Sequence, residues 1–281
     1  LCIAHEPKRK THTAWNTGLI NYVKKTGDLI NGTDVHLYLA EELKTAAQAH
    51  PKQITFKKNT YYEQLDSAFQ KYIRIYKQDK NFETFIAYYK KELPGKLLFC
   101  TEFGDKPAEY WLNTIANAGH TFEIFCKYRN EFRALLVHNF MSNWMWASRR
   151  PEGKYDDNIF NTKNINRCHW YSLQMANEIP YDAKQLSTEI KIENSGTYFF
   201  YFNNAGEKKY LPKIQMKNIL VPQYEIHFVT GEYTYSSAGQ TGFMGKGSEK
   251  SMEVKEINIV TSEKIEEIPA NAFGYVKIVV E

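Results

Sequence analysis

Glu102 stands where a side chain is well placed to do chemistry. It lies in Thr101-Glu102-Phe103-Gly104, directly after Lys96 to Cys100, an apolar run of the kind that makes a buried strand. Asp105-Lys106-Pro107 follows, a turn that opens a helical pattern. Parallel βα folds build their sites at the C-terminal ends of strands. A Glu at such an end is a candidate nucleophile or general acid/base. Three other strand ends carry comparable groups. The first ends in His5-Glu6. The second carries His36 and Tyr38, which share a face because side chains alternate along a strand. The fourth ends in His138-Asn139, followed by Trp144 and Trp146. Each also has a plainer reading: His36 and Tyr38 as satisfied half-buried polar groups, the tryptophans as packing. Four polar or aromatic strand ends together favour a site, and an indole face is a good platform for the C–H groups of a sugar ring.

The elements that must position these residues alternate up to about residue 180. Strands are expected at Leu1–His5, Asp34–Leu39, Lys96–Thr101 and Ala134–Phe140. Between them run helical stripes. Trp15, Leu19, Tyr22 and Val23 form one, and Tyr62, Leu65, Phe69, Tyr72, Ile73 and Tyr76 another. Phe82, Phe85, Ile86, Tyr89 and Leu93 form a third, stopped by Pro94-Gly95. Trp111, Ile115, Ala118, Phe122 and Phe125 form a fourth, and a last helix covers about 164–178. This is the pattern of βαβ units on a parallel sheet. Past Pro180 only strand patterns remain, at Ser187–Glu193, Tyr198–Phe202, Gln223–Val229, Val254–Val260 and Gly274–Val280. They predict an antiparallel β-sandwich. The expected division is 1–182 and 183–281. Four βα strands are half of a closed eight-stranded barrel, so the chain reads as the second half of a (β/α)₈ barrel with a β-sandwich accessory domain.

Composition excludes several classes. A net charge of +4, with both signs mixed along the chain, lacks the basic stripe of a nucleic-acid binder. No run of about 18 apolar residues predicts a membrane helix. Cys2, Cys100, Cys126 and Cys168 are too scattered for a zinc site or a disulfide scaffold. No metal and no cofactor is expected, and no Gly-rich phosphate loop is found. The chain opens directly on a strand pattern without Met, which reads as a piece of a longer protein or one of two chains.

The arrangement resembles clan A of the retaining glycoside hydrolases, in particular the α-L-arabinofuranosidase and β-xylosidase-like families. Val35-His36-Leu37-Tyr38 resembles the sixth barrel strand of those enzymes, Thr101 to Gly104 the seventh, and Trp144 and Trp146 the segment after the eighth. Ile268 to Gly274 resembles the end of their accessory sandwich. The resemblance implies double displacement on a poly- or oligosaccharide. Two carboxyl groups about 5–5.5 Å apart flank the glycosidic bond in that mechanism. Glu102 would be the nucleophile, held and tuned by His36 and Tyr38. His5, His138, Asn139, Trp144 and Trp146 would bind sugar. The resemblance favours a secreted or periplasmic location.

The chain departs from this pattern at the acid/base, which in the clan is a Glu preceded by Asn at the end of the fourth strand. Asn130-Glu131 and Asn177-Glu178 are misplaced for it. Two alternatives stay open. The acid/base lies upstream, on a missing segment or second chain that completes the barrel, or it is Glu6 in Ala4-His5-Glu6-Pro7. A non-catalytic carbohydrate-binding protein on the same scaffold is the rival reading.

Overall fold

The computed structural model describes residues 2–4, 10–27, 30–38, 80–104, 115–137, 149–151, 164–166, 168–186, 195–204, 223–230, 258–262, 267–268 and 272–280. The helical stripe expected at Tyr62–Tyr76 lies outside them. The chain divides into two compact units, one of Leu1–Ala108 with Lys127–His138 and one of Glu109–Cys126 with Asn139–Glu281.

The first unit is built on a four-stranded sheet in the order β1 (Cys2–Ala4), β2 (Gly32–Tyr38), β3 (Leu97–Gly104) and β4 (Ala134–Val137). Every neighbouring pair is parallel, as expected for βα units. Helix α1 spans Lys10–Thr26 and α2 spans Asn81–Glu92. The spacing of apolar residues in α2 predicts its buried stripe correctly. Phe85 and Tyr89 are fully buried, and Phe82, Ile86 and Leu93 nearly so. Phe82 stacks on Tyr128 and meets Phe103 and Phe132 edge-on, so this face of α2 lies against β3. Burying each such ring contributes on the order of 1.5–3 kcal/mol. The chain leaves the helix at Leu93, and Gly95 takes φ 78°, a turn conformation that costs glycine nothing. Helix α1 differs from expectation. Its buried residues are Asn16, Ile20 and Val23, whereas Trp15 and Tyr22 are 59% and 56% exposed. The i, i+4, i+7 stripe through Ile20 won over the bulkier aromatic pair, which lies on the opposite side of the helix.

The second unit centres on a five-stranded sheet in the order β10 (Asn258–Ser262), β9 (Gln223–Thr230), β11 (Ala272–Val280), β8 (Gly196–Asn203) and β7 (Lys184–Gln185). The pairings are antiparallel except that short β7 runs parallel to β8. A small antiparallel pair, β5 (Arg149–Pro151) with β6 (Asn164–Asn166), also belongs here. Both faces of the large sheet are buried, which explains the aromatic run Tyr198 to Phe202. Phe199, Val229, Phe273 and Tyr275 share a core with Ala118 and Phe122 of helix α3 (Ile115–Tyr128) and Met175 of helix α4 (Cys168–Glu178). Tyr198, Phe202, Ile226, Phe228, Val276 and Ile278 fill the opposite face. The buried Ser172 hydroxyl donates to the carbonyl of Ala118, tying α4 to α3 at 2.6 Å. Apart from the short β5–β6 pair, the described strands of this unit form one sheet, and a second large sheet of the kind a sandwich needs is not among the described residues.

Candidate active site

Glu102 owes its orientation to an irregularity in β3. Between Asp34 and His36 strand β2 advances two residues, while β3 advances three, from Phe99 to Glu102. Against β4 the same surplus recurs, since Cys100 to Phe103 opposes Leu135 to Val137. One extra residue therefore sits in β3 within Cys100–Glu102, a β-bulge of a kind that is rare in parallel pairs. Strict alternation would place Glu102 on the face of Leu98 and Cys100, which are buried. With the bulge, Phe103 returns to that face against Phe82, and Thr101 and Glu102 both turn to the other, partly open one.

On that face four side chains join in a line. His36 and Glu102 are direct partners across the sheet. His36 Nδ1 lies 3.0 Å from Glu102 Oε2, with the side chains 39% and 31% exposed, accessible enough to meet a ligand. The other ring nitrogen, Nε2, lies 3.3 Å from Thr101 Oγ1. Thr101 Oγ1 lies 2.6 Å from Oδ2 of Asp34, and the Thr101 amide donates to Asp34 Oδ1 at 3.0 Å. Asp34 is buried. The amide that the bulge removes from the regular ladder thus finds its acceptor in a side chain, as a buried N–H must. Behind Glu102, the Cys100 thiol contacts the Glu102 carbonyl at 3.5 Å, and burial pushes this thiol up to about 12. It is a packing group and not a nucleophile.

The fold thus brings together Glu102 and His36 of the residues singled out in the sequence. Tyr38 ends β2 opposite Gly104, one alternation beyond His36. His5, Glu6, His138, Asn139, Trp144 and Trp146 lie outside the described residues. Asp34 and Thr101 were missed. A signal existed for Asp34, because aspartate is depleted in strands and here sits between Thr33 and Val35. Thr101 carried none, since threonine is an ordinary strand residue. Among the described residues no group of three or more His, Cys, Asp or Glu side chains is placed to hold a metal ion. No described helix is long and apolar enough to cross a membrane.

No protein-family model matches the sequence, and no curated protein matches it. Solved structures do. A family 51 α-L-arabinofuranosidase from Bifidobacterium longum matches at TM-score 0.51 and 10% identity, over 99% of this chain and 59% of that one. A GH86 protein solved in complex with neoagarooctaose matches at TM-score 0.48 and 11% identity, over 100% of this chain and 42% of that one. A GH39 β-xylosidase from Caulobacter crescentus matches at TM-score 0.43 and 12% identity, over 95% and 55%. At such identity the likeness to the arabinofuranosidase concerns the fold alone. The chain has a glycoside-hydrolase-like fold on the strength of the arabinofuranosidase match, and it spans about two fifths to three fifths of the length of the three structures.

Proposed function

We propose that the chain is a retaining glycoside hydrolase, or the C-terminal portion of one, that cleaves a poly- or oligosaccharide with Glu102 as nucleophile. The observation that carries this reading is the bulge in β3. It turns a strand-end carboxylate onto a partly open face and sets it 3.0 Å from His36 Nδ1. Residues 1–182 form the second half of a (β/α)₈ barrel, and residues 183–281 form its accessory β-domain. Four parallel strands are found among the described residues, and a closed barrel of this type has eight; upstream residues or a second chain would complete it.

In the first step a Glu102 oxygen attacks the anomeric carbon, and the glycosidic C–O bond breaks as the acid/base protonates the leaving oxygen. In the second step the same acid/base takes a proton from water, whose oxygen attacks the anomeric carbon and releases Glu102. The acid/base is either the upstream Glu or Glu6. His36 and Tyr38 hold the nucleophile, while His5, His138, Asn139, Trp144 and Trp146 shape the sugar site. The test is Glu102→Gln in the intact protein, assayed on arabinofuranosides, xylosides and agar-derived oligosaccharides, with ligand binding followed by calorimetry. Turnover should vanish while binding survives. Full activity in the variant refutes the role of Glu102. A wild-type protein that binds these sugars without cleaving any of them identifies a carbohydrate-binding protein instead.

A further inference from the structure

The line from Asp34 to Glu102 has a direction, and the direction decides where a proton sits. An ionised Asp34 only accepts hydrogen bonds. At 2.6 Å from Oδ2, the Thr101 hydroxyl therefore spends its hydrogen on Asp34. What remains on Thr101 Oγ1 are lone pairs, and these face His36 Nε2 at 3.3 Å, so Nε2 carries a hydrogen. On the far side of the ring, Nδ1 faces a Glu102 oxygen at 3.0 Å. A hydrogen bond there needs one more proton, held by either Nδ1 or the carboxyl group. The neutral tautomer with its only hydrogen on Nδ1 does not fit, because Nε2 and Oγ1 would then meet lone pair to lone pair.

We propose that Asp34, acting through the Thr101 hydroxyl, fixes a proton on Nε2 of His36 and so makes the His36–Glu102 pair hold one proton more than a neutral imidazole beside a carboxylate. Asp34 and Thr101 are positioning residues. This deepens the glycosidase reading and rests on it only for its purpose. With the shared proton on His36, a cation stands beside the carboxylate that leaves the sugar in the second displacement step. That charge stabilises Glu102 as a leaving group.

Proton-detected ¹⁵N spectra of the histidine rings at pH 7 test this on the full chain. His36 is picked out of the eight histidines by its loss in His36→Gln. The wild type and Thr101→Ser should show a hydrogen on Nε2 of His36. Thr101→Val should lose it and leave the neutral ring with its hydrogen on Nδ1. Asp34→Asn is the second variant. The new amide must keep its oxygen on the Thr101 N–H, so its nitrogen donates to Oγ1. The hydroxyl is then reversed, and His36 moves to the Nδ1–H tautomer. A wild-type His36 with bare Nε2 would place the proton on Asp34 and overturn the proposal. So would a ring signature unchanged in both Thr101→Val and Asp34→Asn. An active Glu102→Gln protein, by contrast, would sink the hydrolase reading and leave these spectra as they are.

Discussion

Two threonines on adjacent strands allow one substitution to be made in opposite environments. Thr33 of β2 is fully buried, and its hydroxyl oxygen has no hydrogen-bond partner among the described residues. Thr101 of β3 places its hydroxyl 2.6 Å from the buried carboxylate of Asp34. Valine has nearly the shape of threonine, so cavity terms are small and the hydroxyl alone is tested. At position 33 the folded state no longer pays the desolvation of an orphan hydroxyl, which is about 1–3 kcal/mol. Thr33→Val should therefore stabilise the first unit by about 1 kcal/mol or more, raising its melting temperature by roughly 3–6 °C. At position 101 a hydrogen bond to a charged acceptor is lost, about 1.5–3 kcal/mol. Asp34 Oδ2 is also left buried without that donor. Thr101→Val should destabilise by about 2–3 kcal/mol on that scale. The two variants should thus lie about 3–4 kcal/mol apart, with the wild type between them. Urea titration with hydrogen exchange read at the β2 and β3 amides measures both. A Thr33→Val protein less stable than wild type, or two variants within about 0.5 kcal/mol of each other, would refute this account of the β2–β3 core.

Gly274 in β11 has no room for a side chain, since a Cβ there would lie 2.0 Å from the His227 carbonyl oxygen and 2.6 Å from Cα of Phe228. Gly274→Ala should lower stability of the second unit by at least about 1–3 kcal/mol, the usual cost of overpacking, and thermal unfolding checks it. Cys100 and Cys126 are buried, so alkylation at neutral pH followed by mass spectrometry should leave both unmodified until the chain is unfolded. Burial tends to raise the Glu83 carboxyl, but hydrogen bonds, chiefly from Lys127, outweigh it and hold the group below its ordinary range. A depressed carboxyl stabilises the fold above its unfolded pKa, and the contribution is lost as pH falls through the folded value. Lys127→Met should raise the Glu83 titration, followed by ¹³C NMR of the carboxyl carbon, and flatten the acid side of the stability profile.

Much of the frame was legible because it rests on local periodicity. The stripe from Phe82 to Leu93, the stop at Pro94-Gly95 and the apolar runs of β3 and β11 are each dictated by residues a few positions apart. Trp15 and Tyr22 show the limit of that signal. Their spacing fits a helix, but which side of the helix is buried depends on what packs against it. Glu102 was readable as a strand-end carboxylate, with His36 on a neighbouring strand. Its facing was not. Alternation counted along Leu98, Cys100 and Glu102 points the carboxylate into the core. The extra residue that reverses it is visible only in the pairing of β3 with both β2 and β4. Asp34 and Thr101 lie 67 positions apart, and no pattern within either segment links them. Local sequence therefore determined which elements form and which carboxylate ends a strand. Tertiary structure decided where that carboxylate points and which groups surround it, because a bulge and a hydrogen-bonded line are properties of strands meeting and not of any one strand.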